Sequence, residues 1–265
     1  MSDISRRFVP VGEHVLHVAE AGSGEPVLLL HQTPRSWDEY RDVLPLLGRR
    51  RRAVAVDMLG FGDSSRLAGG AYTIELWARL AFDLAEALEL GRFAVVGHHT
   101  GGYVAIEMAA SHPERLRAAV LSCTGLRTEA ERLVEANGRA MVDDYEHVLD
   151  GAHLLELWRG RAAFYPQDVA LLERFIVDAL RAGGLAAEGH RVVARYPSEE
   201  RVREIRCPTL IVCGTEDFAA YPTLPWLRQS IPHAATAVIE GGMVPLPDQL
   251  PGEFADAVER FLDGL

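Results

Sequence analysis

Two adjacent histidines set between glycines, Gly97-His98-His99-Thr100-Gly101, are the residues of this chain best placed to do chemistry. They follow the apolar run Phe93 to Val96 and open a stretch with helical patterning, so the backbone must turn sharply from strand to helix. Small residues at 97 and 101 permit a strained turn that lifts the side chain of His99 above the sheet and aims the Thr100 amide at a developing charge. An imidazole held there can act as general base, nucleophile or hydrogen-bond donor. The positive end of the following helix disfavours its imidazolium form.

Such a turn needs a sheet beneath it. Short continuous apolar runs at Pro26 to Leu30, Ala53 to Val56, Phe93 to Val96, Ala118 to Leu121, Thr209 to Val212 and Thr236 to Ile239 predict strands buried on both faces, after an opening hairpin around Gly12-Glu13. Helical spacing lies between them, at Trp37 to Leu47 with Ser36 as N-cap and from the Thr73 cap to Leu90, where Gly91 supplies the stop. This alternation implies an α/β protein with a mostly parallel sheet and helices on both faces. Residues 126–205 break the rhythm and read as several helices, an inserted helical cap; residues 1–125 and 206–265 form the core.

Together these features resemble the α/β-hydrolase fold family over nearly the whole chain. His31-Gln32-Thr33-Pro34 is similar to the family's HGxP oxyanion loop, Asp57 with Leu59-Gly60-Phe61-Gly62-Asp63-Ser64 to its D-x-x-G-x-G-x-S segment, and Gly214-Thr215-Glu216-Asp217 to the loop bearing its catalytic acid. The resemblance implies an oxyanion hole built from the backbone amides of Thr33 and Thr100, with Asp217 as an orienting acid. It also implies that His31 and His98 support loops, although His31, His98 and His99 together could be read as a metal site; no metal is expected.

The departures from the family pattern carry the functional reading. The elbow residue, normally Ser, Asp or Cys, is His99, and Met243 stands where the family places its catalytic histidine, in Glu240-Gly241-Gly242-Met243-Val244-Pro245. His233 precedes the last strand, about five residues or roughly 17 Å from that loop. Without an Asp at 99, dehalogenase and epoxide hydrolase chemistry are discounted. The expectation is that His99 acts as general base or nucleophile on a small, partly hydrophobic carbonyl compound, by hydrolysis or cofactor-free C–C or C–O cleavage. The alternative is a catalytically silent ligand binder that has lost the Ser-His-Asp triad, a reading the resemblance allows because some receptor-type members of the family have lost the triad histidine.

Candidate cavity residues besides these are Gln32, Trp37, Phe61, Trp158, Tyr165 and Met243, the last as a gap-filler or an apolar wall. Asp57 reads as an acceptor for loop amides, Glu240 as an exposed carboxylate, and Ser64 and Ser122 lack an evident base. Over 265 residues the formal charge of −11 argues against nucleic acid, and no apolar run is long enough to span a bilayer. Cys123, Cys207 and Cys213 lack metal-type spacing and read as buried thiols of a cytoplasmic protein. No motif implies a cofactor, and a homodimer is left open.

Overall fold

The computed structural model describes residues 3–138, 140 and 142–265. Its strands are β1 (Ser5–Val11), β2 (His14–Ala21), β3 (Pro26–Leu30), β4 (Arg52–Val56), β5 (Phe93–His98), β6 (Leu116–Ser122), β7 (Thr209–Gly214) and β8 (Ala235–Ile239). They form one sheet in the order β1-β2-β4-β3-β5-β6-β7-β8. β1 with β2 and β2 with β4 run antiparallel, and the other pairs are parallel. β3 lies between β4 and β5, so the sheet order reverses there. The loops after β3 and β5 therefore part at the carboxyl ends of the strands and leave a crevice.

β5 and β7 are buried along their whole length, as continuous apolar runs in a parallel sheet require. β8 differs: it is an edge strand, and only Ile239 is buried. The sequence reading of a strand covered on both faces at Thr236 to Ile239 is corrected accordingly. Trp37 to Leu47 is not one helix. Ser36 does cap it, accepting from the Asp38 amide at 3.3 Å, but the segment divides into a 3₁₀ turn, Trp37–Tyr40, and the single turn α1 (Leu44–Leu47). The helix capped by Thr73, α2 (Ile74–Ala87), ends before Leu90; Glu89 and Gly91 then take positive φ.

α3 (Thr100–Ser111) follows β5 directly. Between β6 and β7 the chain forms α4 (Glu129–Asn137), α5 (Ala152–Ala162), α6 (Val169–Ala182), α7 (Leu185–Arg195) and α8 (Ser198–Arg201). Thr128 and Glu131 make a reciprocal capping box on α4, and Asp168 caps α6 by accepting from the amides of Ala170 and Leu171. Leu157, Tyr165, Leu171, Leu172 and Phe175 form an apolar cluster separate from the sheet core, whereas α7 joins the main core through Leu185, Ala186, Val192 and Val193. After β7 come α9 (Leu224–Ser230), α10 (Leu246–Gln249) and α11 (Pro251–Asp263). No helix among the described residues is long and apolar enough to cross a membrane.

A buried ion network ties the β6–β7 segment to the sheet. Arg35, fully buried in the loop after β3, donates to Asp178 of α6 at 2.9 Å, to Asp38 at 3.4 Å and to Asp248 of α10. Arg174 of α6 reaches Asp38 at 2.6 Å and Asp248 at 2.9 Å. Three separate stretches of chain thus meet on one guanidinium, whose flat fork suits several carboxylates at once.

Candidate active site

Steric demand shapes the turn at His99. Its φ of +44° is a conformation that L side chains rarely adopt, with a strain of about 1–3 kcal/mol. The glycines around it are obligatory: a Cβ on Gly97 would lie 2.0 Å from the Gly101 carbonyl oxygen, and one on Gly101 would lie 2.0 Å from that of Leu30. β5, the turn and α3 therefore close up against the end of β3, and the His99 ring projects from the tightest point.

That ring meets Asp217, on the loop after β7, with Nε2 2.7 Å from Oδ2. Because the carboxylate accepts, Nε2 carries the hydrogen and Nδ1 is left as the basic nitrogen. Asp217 is itself fully buried. Burial alone would raise its carboxyl, but His99 and the amide of Ala220 outweigh that and hold it far below the usual carboxylate range. Its Oδ1 accepts from the amides of Ala219 and Ala220 at 3.1 and 2.9 Å, so the acid is oriented before any ligand arrives.

His99 lines a cavity of about 310 Å³ together with Gln32, Thr33 and Thr100 on the sheet side. The opposite walls come from Val134, Val142, Arg161, Phe164, His190, Arg191 and Val193, with Phe218 and Val244 alongside. Phe164 and Phe218 stack with centroids 4.2 Å apart. The Thr33 amide donates to Thr100 Oγ1 at 3.2 Å, while Thr33 Oγ1 is buried with no partner among the described residues. Beneath them Glu39 accepts from the Gln32 amide at 2.9 Å and from its Nε2 at 2.6 Å, fixing the loop from below. Burial pushes the Glu39 carboxyl up to about 8, against the opposing pull of Arg35 and Gln32.

His31, His98, Trp37, Trp158, Tyr165 and Met243, read from the sequence as cavity candidates, stand outside the cavity lining. His31 donates through Nδ1 to the Gln32 carbonyl at 2.8 Å and accepts from the Met58 amide at 3.0 Å; burial lowers it to about 4, so it is a neutral strut. His98 bridges Ser122 Oγ at 2.9 Å and the Val244 carbonyl at 2.8 Å, again neutral through burial, and so anchors the loop after β8. Trp37 has the guanidinium groups of Arg6 and Arg41 over its ring, 5.3 and 6.0 Å from the centroid. Tyr165 is buried beside Phe175, Trp158 packs on the same cluster, and Phe61 is buried edge-on to His31. The Met243 amide is held by Gln249 Oε1 at 2.7 Å, and it is the next residue, Val244, that reaches the cavity. Asp57 accepts from His17 Nδ1 and the amides of Trp37 and Asp63 at 2.9, 2.7 and 2.8 Å, the amide-holding role expected for it.

Arg127, Arg161, Arg191, His190 and Phe218 were missed by sequence reasoning. The one usable signal, for His190 alone, was the spacing of Ala186, Gly189, His190 and Val193, which sets the histidine on one face of α7 with small and apolar residues. His99, Cys123 and Asp217 also bring a ring nitrogen, a thiol and a carboxylate oxygen within 4.8 Å of one another. Two ligands of a tetrahedral zinc stand ~3.3 Å apart, given metal–ligand distances of ~2.0 Å. The 2.7 Å between His99 and Asp217 is instead the spacing of a shared proton.

Comparison with known proteins agrees with this architecture. The family model for the alpha/beta hydrolase fold matches residues 25–242. The chain belongs to the α/β-hydrolase fold family. Among curated relatives of this α/β hydrolase, 2-hydroxy-6-oxo-2,4-heptadienoate hydrolase of Pseudomonas putida is 31% identical over 226 residues, covering 80% of this chain and 79% of its own. Haloalkane dehalogenase 2 of Mycobacterium tuberculosis is 27% identical over 260 residues, covering 93% and 91%. The solved meta-cleavage product hydrolase of Pseudomonas fluorescens superposes with a TM-score of 0.78 at 22% identity, over 97% of each chain, a likeness of fold.

Proposed function

We propose that this α/β hydrolase is an enzyme that cleaves a small, partly hydrophobic carbonyl compound, with His99 as general base and Asp217 as the acid that orients it. The observation that carries this reading is the 2.7 Å contact between His99 Nε2 and Asp217 Oδ2 at the wall of the 310 Å³ cavity. It leaves Nδ1 to take a proton from water, and Asp217 stabilises the resulting imidazolium. The imidazole of the usual triad has in effect moved onto the elbow, which frees the position of Met243.

The Thr100 amide, at the first turn of α3, has no partner among the described residues and is available to a developing oxyanion. The Thr33 amide joins it once the Thr100 hydroxyl turns away. The stacked Phe164 and Phe218 suit a flat apolar group, and Arg161 and Arg191 suit an anionic end. Relatives named as hydrolases of unsaturated keto acids fit such a substrate class. In this reading residues 126–205 are a cap over a core of residues 1–125 and 206–265. The protein acts in the cytoplasm without cofactor or metal.

One observation favours the silent-binder reading instead: the Thr33 amide, half of the expected oxyanion hole, is occupied by Thr100 Oγ1 at 3.2 Å. The two readings separate on a panel of aryl esters, lactones, epoxides and β-diketones followed by mass spectrometry, with wild type, His99→Ala and Asp217→Asn in parallel. Conversion that is lost in His99→Ala and at least tenfold reduced in Asp217→Asn supports the enzyme. A compound that raises the melting temperature of all three proteins yet is recovered unchanged supports the binder.

A further inference from the structure

A second imidazole–carboxylate pair faces the same cavity from the opposite wall. His190 on α7 holds Nε2 2.9 Å from Asp143 Oδ2, and the Arg161 guanidinium stands 3.4 Å from the same nitrogen. The Asp143 side chain is fully buried, and although burial would raise its carboxyl, Arg161 and His190 more than offset this and hold it at about 2. The carboxylate is the nearer partner and can only accept, so Nε2 carries the hydrogen. His190 Nδ1 has no partner among the described residues, and the ring lines the cavity with 31% of its side chain exposed. Neutralising Asp143 does not require the imidazole, because Arg161 already binds both carboxylate oxygens.

The backbone sets this ring close to the reacting region. A Cβ on Gly189 would come within 2.6 Å of the Thr33 side chain, so α7 rests directly on the loop after β3. Thr33 in turn touches Thr100, the neighbour of His99. His190 is thus one residue from the point where the two walls meet.

We propose that His190, as an imidazolium with Nε2–H on Asp143 and Nδ1–H facing the cavity, is the general acid opposite His99 and protonates the leaving fragment of an acyl substrate, with Asp143 as its positioning residue. This rests on the reading of His99 as base. His99 Nδ1 takes a proton from water, the water oxygen bonds to the carbonyl carbon, and the π pair moves onto the carbonyl oxygen. On collapse that pair re-forms the carbonyl, the bond from carbon to the leaving oxygen breaks, and its pair takes the proton from His190 Nδ1. A carboxylic acid and an alcohol result; His99 returns its proton to solvent and His190 regains one.

The test compares kcat/KM for phenyl acetate, whose poor leaving group needs protonation, with 4-nitrophenyl acetate, whose leaving group does not. His190→Gln keeps a donor for Asp143 and should lose ~100-fold on the first ester but less than ~5-fold on the second, in line with general-acid contributions. Equal loss on both, or no loss, overturns the proposal. His99→Ala should lose both alike; if it retains both, the base reading fails while a leaving-group-selective loss in His190→Gln stands. A wild type inert to both esters overturns the proposal.

Discussion

Replacing Arg35 with methionine removes the guanidinium shared by Asp178, Asp38 and Asp248 and leaves carboxylates that are 6%, 12% and 1% exposed without that partner. Breaking a buried ion pair by deleting one side destabilises by about 3–5 kcal/mol. In a chain of this size each kcal/mol moves the melting temperature by ~2–4 °C, so Arg35→Met should melt on the order of 10 °C lower at neutral pH. The effect has a definite pH signature. Burial already raises the carboxyls of Asp178 and Asp248, and Arg35 is the largest influence holding them down. Without it both rise further, and the folded state keeps protons that the unfolded chain has shed. Stability then falls as pH increases through that interval. Differential scanning calorimetry at pH 5, 6.5 and 8 should show the gap between wild type and Arg35→Met widening with pH. A gap below about 3 °C, or one that widens toward acid, refutes the reasoning.

Glu39, raised from 4.5 to about 8, makes wild-type stability decline by about 1.4 kcal/mol per pH unit across that window, and urea melts of Glu39→Gln should show a flatter profile. Gly189→Ala forces a Cβ to 2.6 Å from the Thr33 side chain and should destabilise by about 1–3 kcal/mol, a loss that Thr33→Ala partly restores in a double-mutant cycle.

The sheet was legible because each inner strand is a short apolar run ended by turn residues, and a strand buried on both faces can be little else. The elbow was legible because Gly97, His99 and Gly101 satisfy a local steric rule. What escaped is non-local. Asp143 meets Arg161 across 18 residues and His190 across 47, separations that no periodic pattern records. Arg35 drew no notice in the sequence and is fully buried, because its carboxylates arrive from 143 and 213 residues away. Trp37 looked like a cavity wall, but its ring packs against the guanidinium groups of Arg6 and Arg41. β8 was read as buried on both faces because its residues are apolar, although half-exposed apolar side chains on an edge strand are ordinary.

The missing side chain at Gly189 has a geometric corollary for the cavity it borders. Where α7 lies on Thr33 the two walls are separated by van der Waals contact alone, so the ceiling cannot drop further and nothing bulky fits beneath it there. The rest of the lining, Phe164, Phe218, Val134 and Val142 among it, lies away from this contact. Guests of the cavity are therefore bounded by this contact, and differences in their size must be taken up by the rest of the lining. Redesign for larger guests would therefore trim the aromatic pair and leave position 189 untouched.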